Sequence, residues 1–433
     1  MQLDKNIAYM PCLKAYCILL CIALMAGCTS VSAGFQSNDL HNVRSLLKRN
    51  NEPLDAWDRM RKGFQMPNLN TELSKQWLQY YASHPESIKK IAERSSKYLY
   101  FVIEEINRRN LPTELALIPF IESAYNPTAI SKNKASGLWQ FVPKTAQHFN
   151  LKQDWWCDER RDPVISTYAA LDYLEKLYKT QGNWHLALAA YNCGESTIQK
   201  AIAKNKLLGL PTNYSSLKIP EETRNYVPKI QAIKTIIKNP EKFGIELPKV
   251  NNSPYFSSVK KNKDIDIEVA AKLAEISLEE FKALNPSYNR PIIKGPYSQT
   301  ILLPIHTIDT FHNNLKSFKG NLSNWKIYKS KNRETFTSIS ERFGISETDL
   351  RKSNHIKHQQ KLTSGQILLI PTDKIKKNSM ISNLIEYEIK TGDTLSKIAK
   401  DHNTTLNNLI KANKLKNDKI IAGSKIMVPY KKK

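Results

Sequence analysis

The stretch Leu111–Pro127, LPTELALIPFIESAYNP, decides how this chain is read. It is mostly apolar, and Leu115, Ile118 and Ile121 recur at intervals of three, which predicts a buried helix. Pro119 is expected to kink that helix, and Asn126-Pro127 to stop it. Glu122 falls near the end, behind Phe120 and Ile121. A carboxyl held against apolar side chains keeps its proton to higher pH, because burial penalises the charged form. An acid that is still protonated near neutrality is what proton delivery to a glycosidic oxygen requires. Taken alone, the run fits a solvated Glu at a helix end better, so the decision falls to its neighbours.

Three further stretches follow in order. Gly137-Leu138-Trp139-Gln140-Phe141 comes soon after the Glu, and Ala190-Tyr191-Asn192-Cys193-Gly194 ends a helical run. Glu222-Thr-Arg-Asn-Tyr226-Val comes last. With Glu122-Ser123, these four motifs resemble the lytic transglycosylases, relatives of goose-type lysozyme, and within them the membrane-bound D type, in which LysM repeats follow. The catalytic resemblance covers residues 85–245. It implies a mainly α, goose-type lysozyme-like domain that cleaves murein between N-acetylmuramic acid and N-acetylglucosamine.

The resemblance also implies a one-carboxylate mechanism. Glu122 would protonate the leaving oxygen, with the substrate's own N-acetyl group as internal nucleophile. It would then take the proton of the sugar 6-hydroxyl as that closes onto C1, leaving a 1,6-anhydromuramyl end. Glu122 is thus the expected catalytic residue. Ser123, Ser131, Gly137, Gln140, Tyr191, Asn192, Glu222 and Tyr226 are the expected substrate-binding residues. Val142 stands where some relatives carry Met. On composition alone, Asp154, Asp158, Glu159, Asp162, Glu195 and Glu222 stay open as a second carboxylate, which keeps a lysozyme-type hydrolase as the alternative enzyme. A non-catalytic wall-binding lipoprotein is the alternative from another class, and the intact Glu122, Gln140 and Tyr191-Asn192 speak against it. No CxxC, histidine cluster or phosphate-binding glycine loop is present, so neither a cofactor nor a metal is expected.

Around this centre the pattern is helical. Ile88, Ile91, Tyr98, Phe101, Val102 and Ile106 give residues 85–110 a helical period. Residues 164–180, 183–192 and 223–239 read as further helices. The stripe Tyr168, Leu171, Leu174 and Leu177 reads as core packing.

Residues 1–27 read as a lipoprotein signal. Lys5 and Lys14 precede a 12-residue apolar core, Ala15–Ala26, which is too short to span a membrane. Met25-Ala26-Gly27-Cys28 resembles a lipobox, so Cys28 is the expected lipidated N-terminus on the periplasmic side of the outer membrane. An uncleaved signal anchor is the alternative. Residues 28–84 read as a tether followed by short helices. Export excludes nucleic acid as the partner of a chain whose 65 Lys and Arg outnumber 40 Asp and Glu by 25. The peptide and muramyl carboxylates of peptidoglycan glycan strands suit that charge. Of six cysteines, three remain after cleavage: Cys28, Cys157 and Cys193. The last two could pair or stay as thiols. The protein is expected to be a monomer.

Beyond Pro248 the chain repeats. Thr394 to Asn413 spans 19 positions, as does Thr335 to Asn354, and Gly423 to Pro429 spans 6, as does Gly365 to Pro371. Units 325–371 and 385–430 resemble LysM modules, small α+β units of βααβ order, and a degenerate third copy is expected at 255–304. In the last unit Gly392, Asp393, Thr394, Leu395 and Ile421 are the expected glycan-binding residues. The unit at 325–371 has Lys331-Asn332-Arg333-Glu334 where the other has Gly392-Asp393, which puts its sugar contacts in doubt. Stretches 305–324 and 372–385 read as linkers. Basic residues outnumber acidic ones by 32 to 17 across 251–433.

Overall fold

The computed structural model describes residues 55–295, 298, 300–372, 383–413, 415 and 419–430. The expected signal segment, Cys28 and most of the expected linker 372–385 lie outside the described residues.

The first part is helical: α1 (Ala56–Lys62), α2 (Glu72–Ala82), α3 (Pro85–Ser95) and α4 (Leu99–Arg108). The periodicity over 85–110 resolves into two helices rather than one. At the break, the Ser95 and Ser96 hydroxyls each donate to a carbonyl three residues back at 2.7 Å, competing with the helix for its own acceptors.

The run 111–127 is not one kinked helix. It forms a 3₁₀ turn, Thr113–Leu117, and then the short α5, Ile118–Glu122. An apolar spacing of three is the 3₁₀ period, so the pattern was telling of a tighter helix. Pro119 lies in the first turn of α5, where its missing N–H costs no helical hydrogen bond. The helix ends at Glu122, ahead of Asn126-Pro127, because Ala124 and Tyr125 adopt left-handed φ values of 51° and 55°. The buried Tyr125 hydroxyl donates to the Ala116 carbonyl at 2.9 Å and holds that reversal in place.

Helices α6 (Pro143–His148), α7 (Pro163–Gln181), α8 (Trp184–Cys193), α9 (Glu195–Leu207) and α10 (Glu221–Lys238) complete this part. Asp162 caps α7 by accepting the Val164 and Ile165 N–H groups, each at 2.9 Å. Leu171, Leu174 and Leu177 are fully buried, in keeping with a core stripe. Cys157 and Cys193 are separate thiols.

Among the described residues the helical core already takes in Ala56, well ahead of residue 85. Trp57 and Met60 are buried in it, and the Trp57 indole N–H donates to the Pro248 carbonyl at 2.9 Å. A buried ion pair explains why the earlier segment cannot be a separate lead-in. Glu114 meets Lys234 of α10 at 3.0 Å, with both side chains out of solvent. Glu114 also accepts the Gln65 and Met66 N–H groups at 3.0 and 2.9 Å, and Lys234 donates to the Met66 carbonyl at 2.7 Å.

Three βααβ repeats follow. In the first, β1 (Phe256–Lys260) pairs antiparallel with β4 (Thr300–Pro304) around α11 (Ile267–Leu273) and α12 (Leu278–Leu284). An inner pair, β2 (Ile265–Asp266) with β3 (Ile292–Ile293), is added. The stretch 305–324 is not a linker. It carries α13 (Ile308–Ser317), whose Phe311 is fully buried against the repeat's own core. The second repeat pairs β5 (Trp325–Lys329) with β6 (Ile367–Pro371) around α14 (Phe336–Phe343) and α15 (Glu347–Ser353). The third pairs β7 (Asn383–Glu388) with β8 (Lys425–Tyr430) around α16 (Leu395–Asp401) and α17 (Leu406–Ala412).

The regular 19-residue spacing has a structural cause. Asn285, Asn354 and Asn413 each close their second helix onto their last strand. Each side-chain NH₂ donates to a helix carbonyl and to a strand carbonyl, and each side-chain oxygen accepts that strand residue's N–H, all within 3.0 Å. The irregular turn of the second repeat also keeps its shape. Arg333 takes a left-handed φ of 60° where Gly392 has 87°. Glu334 accepts from the Tyr328 hydroxyl and the Lys331 N–H, as Asp393 does from Tyr387 and Lys390.

Replacing Glu114 with Ala leaves Lys234 buried without its counter-charge. A loss of about 3–5 kcal/mol is expected, read as a lower denaturation midpoint of the helical part. An unchanged midpoint would show that the pair does not hold α10 in place.

Candidate active site

Glu122 ends α5 and enters a cleft of about 560 Å³. The walls come from three places. Ser131, Asn133, Ala135, Gln140 and Phe141 supply one lip, Tyr191–Gly194 the end of α8, and Glu222, Tyr226 and Lys229 one face of α10. Val142, Thr145 and Tyr173 complete the surround.

Tyr226 is the nearest partner of the carboxyl, its hydroxyl donating to Glu122 Oε1 at 2.6 Å. Burial pushes the Glu122 carboxyl up to about 7. The Tyr226 hydrogen bond and the Lys229 ammonium pull it down, and the Glu222 carboxylate pushes it up. Burial and the nearby Glu122 charge raise the Tyr191 and Tyr226 phenols well above their ordinary value, so both remain O–H donors. Tyr191 donates to the Trp139 carbonyl at 2.8 Å, which joins the end of α8 to the Gly137–Phe141 stretch. Asn192 lines the cleft, and its side-chain oxygen accepts from the Thr223 hydroxyl at 2.7 Å. Gln140 sits at a left-handed φ of 49°, with its NH₂ on the Gly137 carbonyl at 2.8 Å.

Six expected binding residues therefore line the cleft with Glu122: Ser131, Gln140, Tyr191, Asn192, Glu222 and Tyr226. Two do not. Ser123 is buried, and its hydroxyl donates to the Leu138 carbonyl at 2.9 Å, tying the end of α5 to the next motif. Gly137, at a φ of 87°, passes so near Arg160 that a Cβ would lie 1.8 Å from its carbonyl oxygen. Both hold the backbone beside the cleft rather than line it. The sequence reading missed Lys229. Its signal was present, since Glu222, Tyr226 and Lys229 stand at i, i+4 and i+7 on one helical face.

The open question of a second carboxylate narrows sharply. Asp158 is paired with Arg160 at 2.7 Å, Asp162 caps α7, and Glu159 accepts the Lys152 N–H at 2.8 Å. Asp154 accepts the Trp156 N–H at 2.8 Å, and Glu195 the Gln199 amide at 3.1 Å. Of the six candidates only Glu222 borders the cleft.

In the last repeat, Leu395 is core rather than glycan surface, at 2% exposure. The Asp393 carboxylate is engaged by Tyr387 and Lys390, and Thr394 caps α16. Gly392, Thr394 and Ile421 remain exposed. Among the described residues no group of His, Cys, Asp or Glu is arranged to hold a metal ion.

Family models match in the same order as these parts. The Transglycosylase SLT domain matches residues 100–209, and the Lytic transglycosylase MltD, LysM-like domain matches 255–320, which includes α13. The LysM domain matches 328–371 and 387–429. The membrane-bound lytic murein transglycosylase D of Escherichia coli (strain K12) is 30% identical over 431 residues, covering 93% of this chain and 95% of that protein. The chain belongs to the membrane-bound lytic murein transglycosylase D family. It is accordingly an enzyme, a murein lytic transglycosylase with peptidoglycan-binding modules. A putative tributyltin chloride resistance protein of Alteromonas sp. (strain M-1) is 40% identical over 162 residues, 37% of this chain and 76% of that protein. Among solved structures, the 70 kDa soluble lytic transglycosylase of Escherichia coli matches at 21% identity and a TM-score of 0.29, over 41% of this chain and 31% of its own.

The charges around Glu122 predict how this transglycosylase responds to pH. The Glu122 carboxyl is protonated below about pH 7, and with Glu122 as the acid turnover would fall tenfold per unit above it. Tyr226→Phe removes a bond to the charged form and moves that limb to higher pH. Glu222→Gln removes a like charge and moves it lower. Profiles of kcat/KM on soluble glycan check both, and shifts of the same sign would contradict the assignment.

Proposed function

We propose that Glu122 serves first as acid and then as base in non-hydrolytic cleavage of the β-1,4 bond between N-acetylmuramic acid and N-acetylglucosamine. The observation that carries this is a half-buried carboxyl, held near pH 7 and fixed by the Tyr226 hydroxyl, inside the cleft. A group that gives a proton and then takes one works best with a pKa near ambient pH. Glu122 protonates the glycosidic oxygen while the substrate's acetamido oxygen attacks C1 and stabilises its positive charge. The Glu122 carboxylate then takes the 6-hydroxyl proton as that oxygen closes onto C1 and displaces the acetamido oxygen, which restores the free N-acetyl group. The net product is a 1,6-anhydromuramyl end, with no water consumed.

Asn192 suits the acetamido group. Thr223 occupies its oxygen, which leaves its NH₂ to donate to a carbonyl. Ser131 and Gln140 on the lip, and Glu222 on α10, bind the remaining sugar hydroxyls. In the last repeat, Gly392, Thr394 and Ile421 form the accessible glycan surface. Asp393 and Leu395 shape it from behind.

Glu122→Gln preserves shape but removes both proton transfers. Turnover is expected to fall by about 10²–10⁴-fold or more while binding to murein persists. Wild-type products, analysed by mass spectrometry, end in anhydromuramic acid and are lighter by one water than hydrolytic ones. Reducing ends would instead make the enzyme a hydrolase with Glu222 as its base.

The chain is further read as a monomer anchored through a lipid on Cys28 to the outer membrane, facing the periplasm. The lipobox-like Met25-Ala26-Gly27-Cys28 and the membrane-bound relative support this. No helix among the described residues is long and apolar enough to cross a membrane. Cys28→Ala should release the protein from the outer-membrane fraction, and retention there would refute the anchor.

A further inference from the structure

The first repeat spends on the catalytic domain a surface that the second leaves open. Its loop after Asn285 forms a short antiparallel bridge with residues 153–162. The Asp158 N–H donates to the Ser287 carbonyl and the Asn289 N–H to the Trp156 carbonyl, each at 2.8 Å. The Asn289 side chain works in both directions, donating to the Asp154 carbonyl at 2.9 Å and accepting from Arg161. Arg290 donates to the Trp155 carbonyl at 3.0 Å, and its guanidinium lies 3.9 Å from the centre of the Trp155 ring. Leu284 and Leu302 of the repeat are buried in the core of the catalytic domain. In the second repeat the same loop, from His355 through Lys361, is exposed at every residue but Ile356.

The clasped loop in turn holds the lip on one side of the cleft. Asp158 holds the Arg160 guanidinium through two contacts, at 2.9 and 2.7 Å. The same guanidinium donates to the Lys134 and Phe141 carbonyls at 2.6 and 3.1 Å. Gly137 passes directly against the Arg160 carbonyl. These contacts fasten both ends of the lip that presents Ser131 and Gln140 to the cleft.

We propose that the first repeat is a wall of the enzyme rather than a capture module, and that Asn289 is a positioning residue. It acts through the 153–162 loop and the Asp158–Arg160 pair on Gln140 and Ser131. This rests on the reading of the Glu122 cleft as the catalytic site. Clasping the loop removes its freedom to shift, and displacement of a positioning group by about 1 Å can cost about 10²-fold in rate.

The test uses the full chain carrying Asn289→Ala, beside wild type and Glu122→Gln. Four quantities are measured: turnover of short soluble glycan, sedimentation with murein, melting, and amide exchange across residues 131–141. The expected result is a fall in kcat of about tenfold or more and faster exchange in the lip, with sedimentation and melting unchanged. Sedimentation lost with kcat retained would overturn the proposal and make the repeat a capture module. So would no change in either. If Asn289→Ala melts the whole protein, Arg290→Ala decides by the same readings, since it keeps the main-chain bridge. Full turnover by Glu122→Gln would instead remove the catalytic reading itself, whatever Asn289 does.

Discussion

The buried pair between Glu114 and Lys234 is the constraint on which the catalytic geometry depends. Glu114 precedes Glu122 by eight residues, and Lys234 follows Tyr226 by eight. The ion pair at one end and the Glu122–Tyr226 hydrogen bond at the other thus bind the same two segments, run against α10. Two buried charges gain little net stability from each other once their desolvation is counted. Their value is in registry: a shift of α10 along the run would strand both charges out of water. The main-chain bonds to Gln65 and Met66 extend that registry to the segment before α2.

The acid arises from the same packing. Phe120 and Ile118 of α5 are buried in the core, so the helix that carries Glu122 cannot turn it out to water. Burial alone would keep the carboxyl protonated to still higher pH. The Tyr226 hydrogen bond and the Lys229 charge offset part of that burial, and the Glu222 charge opposes them. The balance of four groups from two elements sets a pKa near neutrality, the range in which a carboxyl can both give and take a proton.

The repeats show one local solution used three times with different surroundings. A single Asn ties helix to strand in each, and the strand pairing is the same. The first copy adds α13 and an inner strand pair, and lodges Leu284 and Leu302 in its neighbour's core. Its departure from the pattern at Asp266 fits this. Where Thr335 and Thr394 cap their helices, the Asp266 carboxylate accepts the Asn324 N–H at 2.9 Å and holds the segment after α13.

The sequence by itself determined much of this. The 3.6-residue stripes of α7 and α10, the four motifs in order, and the 19-residue interval in the repeats are local patterns, and each reflects a local bond or a local face. Glu122 stood out only once the later motifs joined its apolar neighbours, since the run alone fits a solvated Glu. What only the tertiary structure decided are the contacts between distant segments. No local signal pairs Glu114 with Lys234, or places Trp57 in the core. None tells that Ser123 and Gly137 serve the backbone while Lys229 serves the cleft. Roles of that kind follow from what lies opposite in space. The carboxylates at 154, 158, 159, 162 and 195 looked alike as letters until caps, turns and Arg160 claimed them. The same holds for the loop at Asn289, whose composition is that of a surface turn and whose position is against residues 154–161 of the catalytic domain.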